Sequence, residues 1–203
     1  MMKNYTLRLE TPDDYRTVEE LTRDAFWDVF KPGCDEHLIL HRLRAHADFI
    51  PELSVVALDG GTIAGHAAYS RAAIVQKDGA RFPIIILGPL SVLPAYQKQG
   101  VGSALLRHTL ARAKETGFAG CAVCGWPDYY PRFGFERARK YAVTDAAGES
   151  PDHLMILPLA VNALPAGTLA ESEVFYSVTP EALKAFDKTF PPREKHRRPG
   201  QLV

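Results

Sequence analysis

Cysteine is scarce in this chain. Three cysteines in 203 residues are an odd number and too few for a disulfide framework, which suits reduced thiols. An excess of one charge is also missing. Twenty-four Lys and Arg balance 24 Asp and Glu, so no global field gathers nucleic acid or an anionic membrane surface, and an anion must be held locally. No apolar run approaches the ~18 residues that span a bilayer, and Met1–Tyr5 runs into charged sequence without a signal-peptide core. A cytoplasmic location is the expectation. A composition of 46% hydrophobic and 24% charged residues supports one well-buried domain and no second full one.

Several ligand motifs are lacking as well. Neither Gly-x-x-x-x-Gly-Lys-Ser/Thr nor Gly-x-Gly-x-x-Gly occurs, which argues against ATP and NAD. Cys121-Ala122-Val123-Cys124 has redox-motif spacing, but residues 119–124 read as a buried strand that puts the two thiols on opposite faces. His37 and His41 share a helix face at metal-ligand spacing, yet no third ligand is apparent and no metal is expected.

What is present is an ordered run of elements. Tyr5–Leu9 alternates as a first strand, and Thr11-Pro12-Asp13-Asp14 signals a helix starting at Pro12. A second helix is predicted from Asp35 to about Ala47, after the Lys31-Pro32-Gly33 break. Strands over 53–58 and 63–70 flank Asp59-Gly60-Gly61, and Asp78-Gly79 separates a third strand from a fourth that starts near Phe82. Ile84–Leu87 is apolar throughout and belongs at the centre of a sheet. Gly88-Pro89 then predicts a bulge or splay that leaves backbone groups unpaired. A helix from about Gly100 to Thr116 links this strand to residues 119–124 by a right-handed crossover, so the fourth and fifth strands should be parallel. The fold class is therefore mixed α/β, a mostly antiparallel sheet flanked by helices. Residues 1–145 are expected to form the core, and 146–190 to add C-terminal strands and a short helix. Strands are predicted over 154–159 and 174–178, with helical turns over 180–186. The tail, 191–203, is basic and proline-rich, and reads as solvated or as a partner-docking segment.

Gln97-Lys98-Gln99-Gly100-Val101-Gly102-Ser103 sits between a central strand and a helix, where free amides and the positive end of the helix dipole converge on one point. Such a turn binds phosphate, with Gly100 and Gly102 allowing close approach and Lys98 adding charge. An isolated Gly-x-Gly is more often only a tight turn. The surrounding segments decide between the two readings.

Leu90-Ser91-Val92-Leu93-Pro94 followed by Gln97-x-x-Gly100-x-Gly102 resembles the acyl-CoA signature of the GNAT superfamily of N-acetyltransferases, and the element order over residues 5–135 is similar too. Residues 29–60 look similar to a bacterial subgroup of predicted N-acetyltransferases with largely undefined acceptors. The resemblance implies a GNAT-like fold and acetyl-CoA as co-substrate. It also implies that amides 98–103 hold the pyrophosphate while main-chain groups of Leu90 and Val92 pair with the pantetheine arm. Tyr129-Tyr130-Pro131-Arg132-Phe133-Gly134-Phe135 resembles the superfamily's Tyr-x-x-x-Gly-Phe element. By that correspondence Tyr130, in preference to Tyr129, is the general acid for the departing thiolate; the other reading of Tyr130 is an aromatic packed on the sheet.

The implied reaction is acetyl transfer to a primary amine of a small molecule or peptide by direct attack in a ternary complex. At pH 7 a lysine-like amine is neutral in only roughly one molecule per few thousand, a cost of about 4–5 kcal/mol, so a base or desolvation is needed. Many superfamily members carry a glutamate on the fourth strand, but residues 82–89 here contain no ionisable side chain. Glu36, His37 and Asp128 remain as base or substrate-contact candidates. The missing carboxylate also fits an alternative, a catalytically silent CoA-binding sensor or structural module. A homodimer fits segments after residue 140 that can extend the sheet.

Overall fold

The computed structural model describes residues 4–160 and 164–201. Strand β1 (Thr6–Leu9) leads through a 3-10 turn at Pro12–Asp14 into helix α1 (Tyr15–Phe26). Asp14 anchors that start, accepting from the Thr11 amide at 2.8 Å and from Arg8 at 2.6 Å. Helix α2 (Glu36–Leu43) follows, and then β2 (Val55–Asp59), β3 (Thr62–Val75) and β4 (Arg81–Val92) form an antiparallel meander. Helix α3 (Val101–Glu115) crosses over to β5 (Gly120–Cys124), which is parallel to β4.

The remaining chain is woven into the same sheet. Strands β6 (Glu136–Arg137), β7 (Val143–Thr144), β8 (Leu154–Pro158) and β9 (Gly167–Ala170) precede helix α4 (Pro180–Asp187). The order is β1-β2-β3-β4-β5-β8-β6, and β9 bridges β3 and β7. One expectation fails here. Residues 174–178 do not form a strand: Glu173–Tyr176 is a 3-10 turn with Val174 as its buried anchor. The strand lies earlier, at β9, where Gly167 passes so close to β3 that a Cβ would stand 2.3 Å from the Val75 carbonyl.

Apolar residues on α3 at helical spacing bury Leu105, Leu106 and Ala113 against one face of the sheet, with Val55, Ala67, Ile85 and Val123 opposite. Each full burial contributes about 1.5–3 kcal/mol. Gly65 on β3 permits the contact, since a Cβ there would stand 2.6 Å from a Val101 methyl. Helices α1 and α2 cover part of the other face through Val18, Leu21, Leu40 and Leu43. A charged network closes this layer: Arg44, 4% exposed, pairs with Glu10 at 2.6 Å and with Glu19 at 2.9 Å. Ser54 donates to Glu10 at 2.9 Å and sits 3.0 Å from His66.

The tail is exposed as expected, but it is not free. The Trp27 indole donates to the Glu194 carbonyl at 2.8 Å, and Arg193 and His196 pair with Asp24 and Asp28 at 2.8 and 3.1 Å. Among the described residues, no helix is long and apolar enough to cross a membrane.

Candidate active site

The site begins where β4 and β5 part. Their parallel pairing stops at Leu87 opposite Val123, while β4 continues to Val92. On its other edge β4 pairs Leu87 with Tyr69 and Leu90 with Ala67, so Gly88-Pro89, joined by a cis peptide, holds one extra residue. This is the bulge that the glycine and proline predict. The Leu93 amide donates toward β3, to the Ala64 carbonyl at 3.0 Å. Strand alternation therefore turns the amides of Leu90 and Val92 to the opposite edge, which β5 has vacated.

Immediately beyond lies the turn into α3. Lys98 and Gly100 take left-handed conformations, with φ of 61° and 93°, and the first α3-type bond is Ala104 N–H to the Gly100 carbonyl at 2.9 Å. None of the amides of residues 98–103 donates to a group among the described residues. They gather at the positive end of the helix dipole beside exposed Lys98 and Gly100. The glutamines flanking Lys98 brace the turn. Gln97 Nε2 donates to the Val92 carbonyl at 3.3 Å, Gln99 Nε2 to the Ala95 carbonyl at 2.6 Å, and the Tyr5 hydroxyl reaches the Gln99 carbonyl at 3.1 Å. The Val101 side chain is buried beneath the turn and Ser103 is half-buried. Six free amides at a helix N-terminus with an open strand edge alongside fit a pyrophosphate carrying an extended amide-bearing arm.

Tyr130 stands in a 3-10 turn, Tyr130–Phe133, after β5. Gly125 makes room for it, since a Cβ there would meet the ring at 2.3 Å. The ring is 8% exposed and packs edge-on to Phe135 and Tyr129, with centroids 5.6 and 5.2 Å apart. Burial, then neighbouring Tyr129, Cys121 and Cys124, raises its pKa, so it stays protonated. Tyr129 occupies a place that sequence did not foresee. Its hydroxyl lies 2.7 Å from where a Cβ on Gly102 would stand, against the first turn of α3. Aromatic spacing along the chain carries no signal for that contact, although the need for glycine at 102 does.

The three base candidates sit in different surroundings. Glu36 opens α2, half-buried, with its carboxylate accepting from the Asp35 amide at 3.1 Å. Burial, reinforced by the Asp35 charge, pushes its pKa up to about 7. His37 has no exposed surface: Nδ1 lies 3.5 Å from Cys34 Sγ, Nε2 lies 3.1 Å from Asp187, and the ring stacks on Phe186. Burial pushes its pKa down to about 4, so the contact with Asp187 is a hydrogen bond from a neutral imidazole. His41, one turn on, sits 2.8 Å from Glu19. Asp128 is exposed in the loop after β5. That loop touches the α1–α2 connection, where Trp126 stacks on Phe30 with centroids 5.5 Å apart. The cysteines are free, with Cys121 buried and Cys124 exposed.

A mixed sheet whose parallel strands part beside a helix N-terminus fits an acyl-CoA-dependent acyltransferase. The family model of the acetyltransferase (GNAT) family matches residues 16–135, and the chain belongs to that family. It is 39% identical over 134 residues to the uncharacterized N-acetyltransferase YjhQ of Escherichia coli, covering 66% of this chain and 70% of that one. A GNAT family acetyltransferase from Brucella melitensis, solved in complex with acetyl-CoA, superposes with a TM-score of 0.69 at 32% identity, over 85% of this chain and 98% of that one. The Escherichia coli GNAT family N-acetyltransferase YhbS, solved in complex with CoA, gives a TM-score of 0.75 at 26% identity, over 86% and 93%.

Proposed function

We propose that the protein transfers an acetyl group from acetyl-CoA to a primary amine of a small molecule or peptide, by direct attack within a ternary complex in the cytoplasm. The observation that carries this reading is the run of six unpaired amides at residues 98–103 beside the vacated edge of β4. The acetyl-CoA complex of the Brucella relative supports the same co-substrate here.

Acetyl-CoA supplies an activated thioester. The amides of residues 98–103 bind its pyrophosphate, and the outward-facing amides of Leu90 and Val92 align the pantetheine arm as an added strand. In this reading the Val92 amide also hydrogen-bonds the thioester oxygen as charge develops there. The amine nitrogen bonds to the carbonyl carbon, the carbon–sulfur bond breaks, and Tyr130 gives its hydroxyl proton to the departing sulfur. Burial raises the neighbouring Cys121 thiol as well as the tyrosine. Glu36, with its pKa near neutrality, is the group we assign to take the ammonium proton, directly or through water. His37 holds the start of α2 in place.

Calorimetric titration with acetyl-CoA tests the first step. Wild type should bind saturably, and Gly102→Glu, which puts bulk and negative charge into the cradle, should not. An amine screen with thiol detection then reads turnover. Equal binding by both proteins would remove the cradle from the mechanism, and binding without any turnover would leave the silent sensor.

A further inference from the structure

The geometry points to a second binding site, for a small dianion carrying an apolar body, in the groove between α1, α4 and the C-terminal tail. The groove has a volume of about 730 Å³, within the usual span of small-molecule sites. Five cationic side chains line it, Arg23, Lys184, Lys188, Arg193 and Lys195, against the single carboxylate of Asp187. In a chain of zero formal charge that is a strong local concentration.

The internal pairing leaves part of this charge unanswered. Arg23 and Lys195 share Asp187 at 3.1 and 3.4 Å, and Arg193 is held by Asp24 at 2.8 Å. Lys184 and Lys188 have no anionic partner among the described residues. Lys184 lies in the last turn of α4 and Lys188 caps the helix C-terminus four residues on, a spacing at which like charges repel. Two uncompensated ammonium groups on one face match a dianion such as a phosphomonoester, with Arg193 and Lys195 within the same lining. The floor supplies the other half of the recognition. Trp27 and Phe190, each 5% exposed, and Leu183 form an apolar wall, and the Arg23 guanidinium lies 4.2 Å from the Trp27 ring. A bare ion would leave that wall unused.

Trp27 is also a reporter. The chain has two tryptophans, so Trp126→Phe leaves Trp27 as the sole emitter. Phenyl phosphate, titrated at pH 8 and constant ionic strength, should change its emission saturably. Benzoate, which has the body but one charge, and inorganic phosphate, which has the charge but no body, should bind at least tenfold more weakly. Lys184→Gln with Lys188→Gln should weaken phenyl phosphate at least tenfold; both side chains are exposed, and far-UV circular dichroism checks that the fold is kept. A response no larger than that of sodium chloride at matched ionic strength would overturn the proposal. So would a response that the double substitution leaves unchanged.

Discussion

Replacing Glu36 with glutamine separates the cost of the carboxyl from its use. In the folded protein its pKa stands at about 7 against an ordinary 4.5. Below about pH 3.5 the carboxyl is largely neutral in both folded and unfolded chains, so wild type and Glu36→Gln should be about equally stable, and at pH 4.5, where the unfolded carboxyl is half-ionised, they should differ by only about 0.4 kcal/mol. Between the two values the unfolded chain ionises while the folded one stays protonated, so wild-type stability falls as pH rises. Above about 7 both forms are ionised and the penalty levels off at about 3 kcal/mol, from the shift in pKa. The glutamine variant escapes that penalty. For a chain of this size it should melt about 6–12 °C higher than wild type at pH 8 and only about 1–2 °C higher at pH 4.5. The same substitution should lower kcat/KM by about 100-fold or more and abolish an acid limb near pH 7. Urea denaturation at half-unit steps from pH 4.5 to 8.5, paired with the pH profile of kcat/KM, reads both effects. Parallel stability curves would refute the raised pKa. Diverging curves with an unchanged acid limb would refute its role as base.

Tyr130→Phe should lower kcat by about 100-fold or more while calorimetry finds acetyl-CoA binding unchanged. Gly102→Ala should cost about 1–3 kcal/mol of stability by driving a Cβ into the Tyr129 hydroxyl. Tyr129→Phe should recover most of that loss, which a double-mutant cycle by urea denaturation measures. Arg44→Ala, which strands the buried carboxylates of Glu10 and Glu19, should cost about 3–5 kcal/mol, read by the same denaturation midpoint.

The central sheet and α3 were legible because their signals are local. Apolar Ile84–Leu87, the Gly88-Pro89 break and the helix-start glycines each announce one backbone choice. β9 escaped notice for the opposite reason. Gly-Thr-Leu-Ala has little strand character, and it pairs because Gly167 tolerates the close passage of Val75. Val174–Val178 has a strand-like composition, yet Val174 is its only well-buried anchor in the 3-10 turn. Within the site, the amide cradle follows from residues close in sequence. The surroundings of Glu36 and His37 do not, because Asp187 reaches His37 from 150 residues away. A similar separation lies between the tail's Arg193 and His196 and the acidic partners they meet, Asp24 on α1 and Asp28 just beyond it.

Gly65 gives the molecule an indirect form of control. With no side chain there, α3 rests directly on β3 through Val101, the first residue of the helix. The orientation of the amides at the start of α3 is thereby inherited from the central sheet. A residue with no side chain of its own therefore sets the angle at which those amides are presented.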